Sequence, residues 1–314
     1  MKDPQRELEH LAKLAKNNAD KRFSKLLKTI RQGPFLGMVW KRVRTNKGSH
    51  TPGIDGLTLA DIDDQVLGDL AQELKAGRYQ PQPVRRVYVA KGPGKKKRRA
   101  LGIPIIRDRI VQAAIAQVLE AIYEPIFRNC SHGFRPGRST VHALRQVAMA
   151  YRTSATWIIE GDLVKCFDSL PHQVILNCLR KRIKDERFID LIRKFLQAGL
   201  MEDQRYDKTY SGTPQGGLCS PNLMNIVLHE FDCYMEAQWQ ANPAPLTRKQ
   251  QYARANPEYA RLKFNLGRWR AQLGGRIPMG RQTVEGLKQK IKAALKARQH
   301  VPCYLPRRVI HYCR

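Results

Sequence analysis

The stretch that decides the fold is Trp157-Ile-Ile-Glu-Gly-Asp-Leu-Val-Lys-Cys-Phe-Asp168, an apolar run followed by a carboxylate and an aromatic ring. Residues 156–159 are β-branched or aromatic and therefore predict a strand. Asp162 then follows the end of that strand, where a carboxylate can hold a hard metal ion such as Mg²⁺. Taken alone, the stretch favours a structural interpretation, a strand followed by an acidic turn.

The net charge is the most unusual feature of the composition. The 314 residues include 57 Lys and Arg against 27 Asp and Glu, which gives a formal net charge of +30. Such a surplus repels itself unless a polyanion neutralises it, so nucleic acid is the expected partner. No apolar run approaches the roughly 20 residues that a membrane-spanning helix needs. Seven scattered cysteines fit a reducing interior, so we expect a cytoplasmic or organellar protein with no membrane partner.

The N-terminal half alternates between helical and strand patterns. Apolar residues at helical spacing predict helices over 5–32, 66–74 and 110–122. Alternation over 84–90, a Gly-Pro-Gly turn and a second run at 100–104 predict a β-hairpin. Ten Lys or Arg and one acid, Asp108, lie between residues 85 and 109. We therefore expect the hairpin to contact phosphate.

The C-terminal half carries a glycine-rich loop and a basic helical segment. Gly212-Thr-Pro-Gln-Gly-Gly-Leu-Cys-Ser-Pro221 precedes a helix, so its backbone amides suit a phosphate or a base pair. Residues 241–300 hold fourteen Lys or Arg and two acids, with helical but little strand pattern. Residues 309–312 then predict a further strand. The segment between looks inserted.

Five segments, in order, resemble blocks of the reverse transcriptases encoded by group II introns, which also act as splicing maturases. The segments are residues 46–56, 91–112, 131–139, 162–172 and 212–225. The resemblance implies an α+β fold of fingers and a partial palm, with helices packed on a small antiparallel sheet. It implies a basic helical extension over 1–50, fingers over 51–155 and a partial palm over 156–314, whose basic, helix-rich insertion spans about 235–303. Thumb and C-terminal domains would be absent.

The same resemblance implies an RNA-directed DNA polymerase and assigns roles to individual residues. Asp162 would be catalytic and, with the backbone carbonyl of Leu163, would ligate metal. Phe167 would exclude a 2′-hydroxyl from the incoming nucleotide. The other implied contacts are Lys91, Arg99, Gln215 and Gly216 to the nucleotide, and Lys95, Lys96, Lys97, Arg98, Arg135 and Arg138 to RNA. The implied ligands are two Mg²⁺ ions, dNTPs, an RNA template with a DNA primer, and group II intron RNA.

The chain departs from the family pattern at its metal site. In the family, the strand that residues 309–314 resemble is followed by Tyr-Ala-Asp-Asp, but no Tyr-x-Asp-Asp occurs in these 314 residues. One carboxylate matches two Mg²⁺ ions poorly, so we expect a truncated member with little or no polymerase activity by itself. A non-catalytic RNA-binding splicing helper is the alternative. A ribosomal-type RNA-binding protein is disfavoured by the ordered set of Asp162, Phe167 and Pro214-Gln-Gly216.

Overall fold

The computed structural model describes residues 3–46, 48–90, 98–153, 160–163, 166–202, 205–213, 216–240, 257–278 and 283–300. Among them, residues up to 143 and from 160 to 235 form one compact unit, and those from 144 to 153 and from 236 to 300 form a second. In this described part of the chain, no helix is long and apolar enough to cross a membrane. The proposed boundaries of extension, fingers and palm stay predictions.

The first unit is mainly helical, and every helix is defined by its bounds along the chain. The helices are α1 (Pro4–Asn17), α2 (Leu26–Ile30), α3 (Gly33–Val43), α4 (Asp64–Ala76), α5 (Ile106–Tyr123), α6 (Thr140–Thr153), α7 (Cys166–Ser169), α8 (His172–Arg182), α9 (Glu186–Gln197) and α10 (Ser220–Gln240). Of these, α6 and α10 continue into the second unit. Short 3-10 turns cover Leu59–Asp61 and Glu124–Ile126.

Helix α5 is the centre of the core. Its predicted apolar positions are all buried: Ile110, Val111, Ala114, Ile115, Val118, Leu119 and Ile122. Helices α1, α2 and α3 pack against it, and the core continues through α8 and α9. A helix that is apolar around most of its circumference must be covered on several sides. The burial of α5 therefore determines where its neighbours lie.

The helical pattern predicted over 5–32 is confirmed in α1 and α2, but the helix is interrupted between them. The chain leaves the helix after Asn17, and Phe23 forms a parallel bridge with Ile183. The Phe23 amide donates to the Arg182 carbonyl and the Lys184 amide donates to the Phe23 carbonyl, both at 2.7 Å. Lys25 then adopts a left-handed conformation before α2. This backbone pairing with a distant segment overrides the local helical pattern.

The sheet is small and has the strand order β2-β1-β3-β4. Its strands are β1 (Val84–Ala90), β2 (Arg98–Ile103), β3 (Leu200–Glu202) and β4 (Arg205–Asp207). The predicted hairpin is confirmed as the antiparallel pair β1 and β2, and β3 and β4 are also antiparallel. Strands β1 and β3 run parallel, so the sheet is mixed. The long helical connection between them permits this, because parallel neighbours need a crossover. The strands predicted at 156–159 and 309–312 lie outside the described residues.

The second unit contains a pair of packed helices, α11 (Pro257–Leu273) and α12 (Val284–His300). Leu266, Leu287 and Ala294 are buried. The Thr283 hydroxyl caps α12 by accepting a hydrogen bond from the Gly286 amide at 3.2 Å. Most lysines and arginines of both helices are exposed, so the unit presents the basic surface that the composition predicts.

A buried carboxyl fixes the start of α5 against the segment that leads into β1. The Asp108 side chain accepts a hydrogen bond from the Tyr79 hydroxyl and a second, at 2.9 Å, from the Gln82 amide. Asp108 is only 1% exposed. Burial raises the pKa of its carboxyl from 3.8 to about 7, while the hydrogen bonds from Tyr79 and Gln82 and the nearby Arg107 act in the opposite direction.

This raised pKa predicts a pH-dependent stability. The folded chain binds the Asp108 proton more tightly than the unfolded chain does, so this proton stabilises the fold. Its contribution to the free energy of unfolding is complete below pH 3.8 and is lost as the pH rises through about 7. In the unaltered chain, the free energy of unfolding should therefore fall between about pH 5 and pH 8. In Asp108→Asn we expect this fall to be smaller by about 2–4 kcal/mol, measured by urea titration.

The matched control is Asp190→Asn, which removes a half-exposed carboxylate paired with Arg193 at 2.9 Å. This control should leave the pH dependence unchanged. An Asp108→Asn variant that follows the same pH curve as the unaltered chain would show that the carboxyl is ionised in the folded protein.

Candidate nucleotide-binding site

The segment after Asp162 is held in place by hydrogen bonds between residues 167–172 and residues 211–213. We call this set of hydrogen bonds the latch. The Thr213 amide donates to the Phe167 carbonyl, and the Gly212 amide donates to the Leu170 carbonyl, both at 2.7 Å. The Ser211 hydroxyl donates to the Asp168 carbonyl at 3.0 Å. These bonds hold the backbone of Phe167, the predicted sugar gate, beside the glycine-rich loop.

His172 closes the latch from helix α8. Its Nε2 lies 2.9 Å from the Gly212 carbonyl oxygen, and the imidazole is largely buried. Burial lowers the pKa of His172, which favours the neutral ring with its proton on Nε2 as the donor. Sequence reasoning missed this residue, because a histidine after a proline gives no signal of a partner 40 residues away.

Position 212 of the latch requires glycine, because of its backbone conformation and because there is no space for a side chain. Its φ of +80° is one that side-chain-bearing residues rarely adopt, and an added Cβ would lie 2.5 Å from the Phe167 carbonyl oxygen. Gly216 is similarly crowded, because its Cβ would lie 2.2 Å from the Gly102 carbonyl oxygen. The glycine-rich loop therefore touches the gate segment at one end and strand β2 at the other.

Gln112 anchors the far end of the same loop. It is buried on α5, and its Oε1 accepts a hydrogen bond from the Leu218 amide at 2.8 Å. Gly216 itself is exposed, as its predicted contact with a nucleotide requires. Gln215 lies outside the described residues, so its role stays a prediction.

A second aromatic ring faces the predicted gate. The rings of Phe134 and Phe167 are edge to face, with centroids 6.4 Å apart and an interplanar angle of 82°. Phe134 is 73% exposed and has a φ of 54°, an uncommon left-handed conformation for a bulky residue. The side-chain amide of Asn225, on α10, donates a hydrogen bond to the carbonyl of Gly133, the residue before Phe134, at 2.8 Å. The loop thus holds Phe134 in an unfavourable conformation that places it against Phe167.

The buried side chain of Arg135 stabilises the loop at residues 131–138. Its guanidinium makes a two-point ion pair with Glu124, with a shortest distance of 2.8 Å, and donates to the Arg128 and Ser131 carbonyls at 2.8 Å. It also lies over the Phe127 ring at 5.3 Å. These contacts engage most of the N–H groups of Arg135, so its buried side chain supports the loop, while its contact with RNA stays a prediction. Arg138 is more exposed and donates to the Asn129 backbone and side-chain oxygens at 2.9 and 2.8 Å.

The other predicted site residues are distributed over the described and undescribed parts. Asp162 and Leu163 are exposed, and Phe167 is half-buried. Arg98 is exposed at the start of β2, and Arg99 follows it in the same strand. Lys91, Lys95, Lys96 and Lys97 lie outside the described residues. Their predicted contacts with triphosphate and RNA are therefore untested.

Arg109 is a further residue that the sequence did not reveal. Its buried guanidinium donates to the carbonyls of Pro104, Gly48, Ser49 and Thr51. Gly53 packs so closely on Ile105 that an added Cβ would lie 2.6 Å from the Ile105 Cα. The block at 46–56 is therefore fixed to the N-terminus of α5 and to the base of the hairpin.

Comparison with known proteins decides the family. Residues 89–253 match the family described as reverse transcriptase (RNA-dependent DNA polymerase). The chain belongs to the reverse transcriptase family. The matched range begins within β1 and includes α5, the latch, the glycine-rich loop and α10, so it contains the whole site described above.

Intron-encoded proteins are among the relatives of this reverse transcriptase. The group II intron-encoded protein LtrA of Lactococcus lactis subsp. cremoris is 42% identical over 228 residues, which are 73% of this chain and 38% of LtrA. Protein YkfC of Escherichia coli K12 is 40% identical over 241 residues, 74% of this chain and 63% of YkfC. Nuclear intron maturase 1 of Arabidopsis thaliana is 30% identical over 128 residues, 39% of this chain and 18% of the maturase. The resemblance to group II intron reverse transcriptases is confirmed, and the chain spans less than two thirds of each relative.

Within the part of this reverse transcriptase that the structure describes, the carboxylates do not complete a metal site. Enzymes of the family use divalent metal ions, and Mg²⁺ favours six oxygen ligands. Within the described residues, no group of three or more His, Cys, Asp or Glu side chains is arranged to hold a metal ion. Asp162 is a single exposed carboxylate after the predicted strand. The described donor set therefore does not fit two divalent ions.

The two arginines of the 131–138 loop make a paired prediction. Arg135→Ala leaves Glu124 without its partner and should lower the free energy of unfolding by about 3–5 kcal/mol, as for a broken buried pair. Arg138→Ala should change stability by less than about 1 kcal/mol but weaken RNA binding. Urea unfolding and fluorescence anisotropy with labelled RNA measure the two effects.

Each arginine is the control for the other, because the two lie in the same loop. A stable Arg135→Ala variant with weakened RNA binding would contradict the internal role of Arg135. Unchanged RNA affinity in Arg138→Ala would remove Arg138 from the RNA-binding surface.

Proposed function

We propose that this chain supplies the nucleotide and template side of an RNA-directed DNA polymerase of group II intron type. The observation that carries the proposal is the latch, because it brings Phe167 beside the loop that leads to Gly216, which in turn packs on β2. Three segments that are distant in sequence thus meet around one exposed surface. Nucleotide addition depends mainly on such positioning together with electrostatic stabilisation.

The proposed roles of the individual residues are those that the family resemblance implies. Phe167, supported edge-on by Phe134, excludes a 2′-hydroxyl by size, so the product is DNA. Gly216 and Gln215 line the nucleotide pocket, where glycine permits close approach of the base pair. The hairpin residues Lys91 and Arg99 hold the triphosphate. Asp162, with the Leu163 carbonyl, is the contribution of this chain to binding Mg²⁺.

The proposed partners are an RNA template with a DNA primer, dNTPs and group II intron RNA. Shape and phosphate contacts explain binding by the basic helices α11 and α12, since base-specific readout of RNA helices is limited. The names of LtrA and the Arabidopsis maturase connect those proteins with introns. The proposed location is the bacterial cytoplasm or the interior of an organelle.

A non-catalytic splicing helper is the second candidate function. The exposed lysines and arginines of α11 and α12 support it, because binding RNA requires basic surfaces but no metal site. This candidate and the polymerase proposal share the RNA-binding surfaces and differ only in the chemistry that follows binding.

Primer extension tests the polymerase proposal. On an RNA template with a DNA primer, we expect little or no Asp162-dependent synthesis by the 314-residue chain, because a single carboxylate cannot hold two ions. We expect a chimera of LtrA that carries the matching stretch of this chain to synthesise DNA. Asp162→Ala should abolish that synthesis.

Parental LtrA, assayed in parallel, is the reference for the chimera. Asp162-dependent synthesis by the 314-residue chain would show that its site is complete. A folded chimera without Asp162-dependent synthesis, beside an active parent, would contradict the polymerase proposal and favour the splicing helper.

RNA affinity tests the basic tip of the hairpin. Replacing Lys95, Lys96, Lys97 and Arg98 by Gln should weaken binding of intron RNA and reduce the slope of log affinity against log salt by about 3. Each released counterion contributes a little under one unit to this slope. Asp162→Ala is the control and should bind RNA as the unaltered chain does. An unchanged slope in the Gln variant would exclude the tip from phosphate contact.

A further inference from the structure

A short segment leads from the edge of the sheet into the latch. Strand β4 ends at Asp207, and the latch begins at Ser211, which forms an antiparallel bridge with Pro171. The Ser211 hydroxyl also donates a hydrogen bond to the Asp168 carbonyl at 3.0 Å. Tyr210 is bonded directly to Ser211, so the two Cα atoms are about 3.8 Å apart. The latch therefore fixes the backbone of Tyr210 next to the predicted gate segment.

The last strand before this segment points a side chain to the side of the sheet that borders the glycine-rich loop. Tyr206 of β4 pairs with Met201 of β3, and Met201 pairs with Arg85 of β1. Paired residues point to the same side of a sheet, and alternation along the hairpin places Leu101 on this side too. Leu101 borders Gly216. The segment that ends at the latch thus begins on the sheet face that carries the candidate nucleotide-binding site.

Tyr210 presents an aromatic ring to solvent at this position. Among the described residues it is the most exposed large apolar side chain, at 79%. The Lys208 ammonium lies over its ring, 5.5 Å from the centroid. Because the cation approaches one face of a ring that is mostly in solvent, the opposite face is open to a planar group. A tyrosine of the core is instead almost fully covered, as Tyr79 and Tyr123 are.

A solvent-exposed ring beside a cation is the combination that binds single-stranded nucleic acid. Bases stack on aromatic rings whatever their identity, because every base has a π face, while nearby cations contact phosphates. Lys208 carries its charge on a flexible stem and can turn from the ring to a phosphate. The cation–π contact that it would leave is weak at an exposed site. Tyr210 and Lys208 together therefore supply both contacts that an unpaired strand requires.

The ring of Tyr210 also selects unpaired RNA over duplex RNA. The bases of a duplex stack on one another, so their faces cannot reach a side chain, whereas unpaired bases can stack on aromatic rings. Lysine alone would bind both forms through their phosphates. The discrimination between the two forms consequently depends on Tyr210.

We propose that Tyr210 and Lys208 form a binding site for unpaired RNA beside the latch, in which one base stacks on the Tyr210 ring and Lys208 contacts an adjacent phosphate. The site holds the strand next to the candidate nucleotide-binding site. Only the identity of the partner as RNA rests on the proposed function.

Fluorescence anisotropy with the 314-residue chain tests this inference. The probes are a fluorescein-labelled RNA of about 12 nucleotides without self-complementarity and a duplex of the same length, a size within the range of known single-strand sites. Tyr210→Ala should weaken binding of the unpaired RNA about 5- to 150-fold and leave binding of the duplex unchanged. Unchanged duplex binding also shows that the variant is folded. Tyr210→Phe should bind as the unaltered chain does, because it retains the ring.

The salt dependence separates the two contacts. Tyr210→Ala removes no charge, so the slope of log affinity against log salt should be unchanged. Lys208→Gln removes one phosphate contact and should reduce this slope for the unpaired RNA by about 0.7. An unchanged slope in Lys208→Gln would contradict the role of Lys208.

The matched control is Tyr234→Ala. Tyr234 is 58% exposed on α10, but Glu230 lies four residues before it on the same side of the helix, where a carboxylate repels phosphate. This variant should bind both RNAs as the unaltered chain does.

The remaining outcomes separate this inference from the proposed function. Tyr210→Ala binding unpaired RNA normally, or losing unpaired and duplex RNA equally, overturns the inference and leaves the proposed function intact. An unaltered chain that binds neither RNA overturns both.

Discussion

The buried helix α5 is the constraint on which the rest of the first unit depends. Its apolar surface is covered by α1, α2 and α3, while its polar side chains each hold a different segment. Asp108 binds the segment before β1, Arg109 binds the loop at 48–51, and Gln112 binds the glycine-rich loop. Because a buried polar group left without a partner costs about 1–3 kcal/mol, these segments cannot move away from α5 independently.

This arrangement gives the described part of the candidate site a defined shape. The glycine-rich loop is fixed at Leu218 by Gln112 and at Gly212 by the latch. The gate segment is fixed by the same latch, and the loop that carries Phe134 is fixed by Arg135 and Asn225. Apart from the local contacts of Arg135, each anchor is a hydrogen bond between residues distant in sequence. The site is consequently a property of the packed unit and not of any one motif.

The parts of the fold that followed from sequence are those set by local pattern. The apolar period of α5 and the alternation of β1 act over a few residues, and both predictions are confirmed. The polar anchors did not follow, because Tyr79 and Asp108 are 29 residues apart and Gln112 and Leu218 are 106 apart. A single sequence contains no signal for such pairs. The interruption between α1 and α2 did not follow from the sequence for the same reason, since Phe23 pairs with Ile183.

The site residues show the same limit in another form. Family resemblance identified Phe167 and Gly216 by their motifs, but it could not distinguish Arg135 from Arg138, which have the same side chain in the same loop. Burial distinguishes them, because Arg135 is enclosed with Glu124 whereas Arg138 is more exposed.

The same anchors determine the position of Phe134, which lies in this loop and contacts Phe167. A non-glycine residue at positive φ costs about 1–3 kcal/mol and persists where its surroundings determine it. Here the surroundings are the anchors on either side, Asn225 at Gly133 and the buried Arg135 itself. The stabilisation from an edge-to-face pair, about 0.5–1.5 kcal/mol, offsets only part of a cost in the upper half of that range. The anchors therefore contribute to holding Phe134 against Phe167, together with the attraction between the rings.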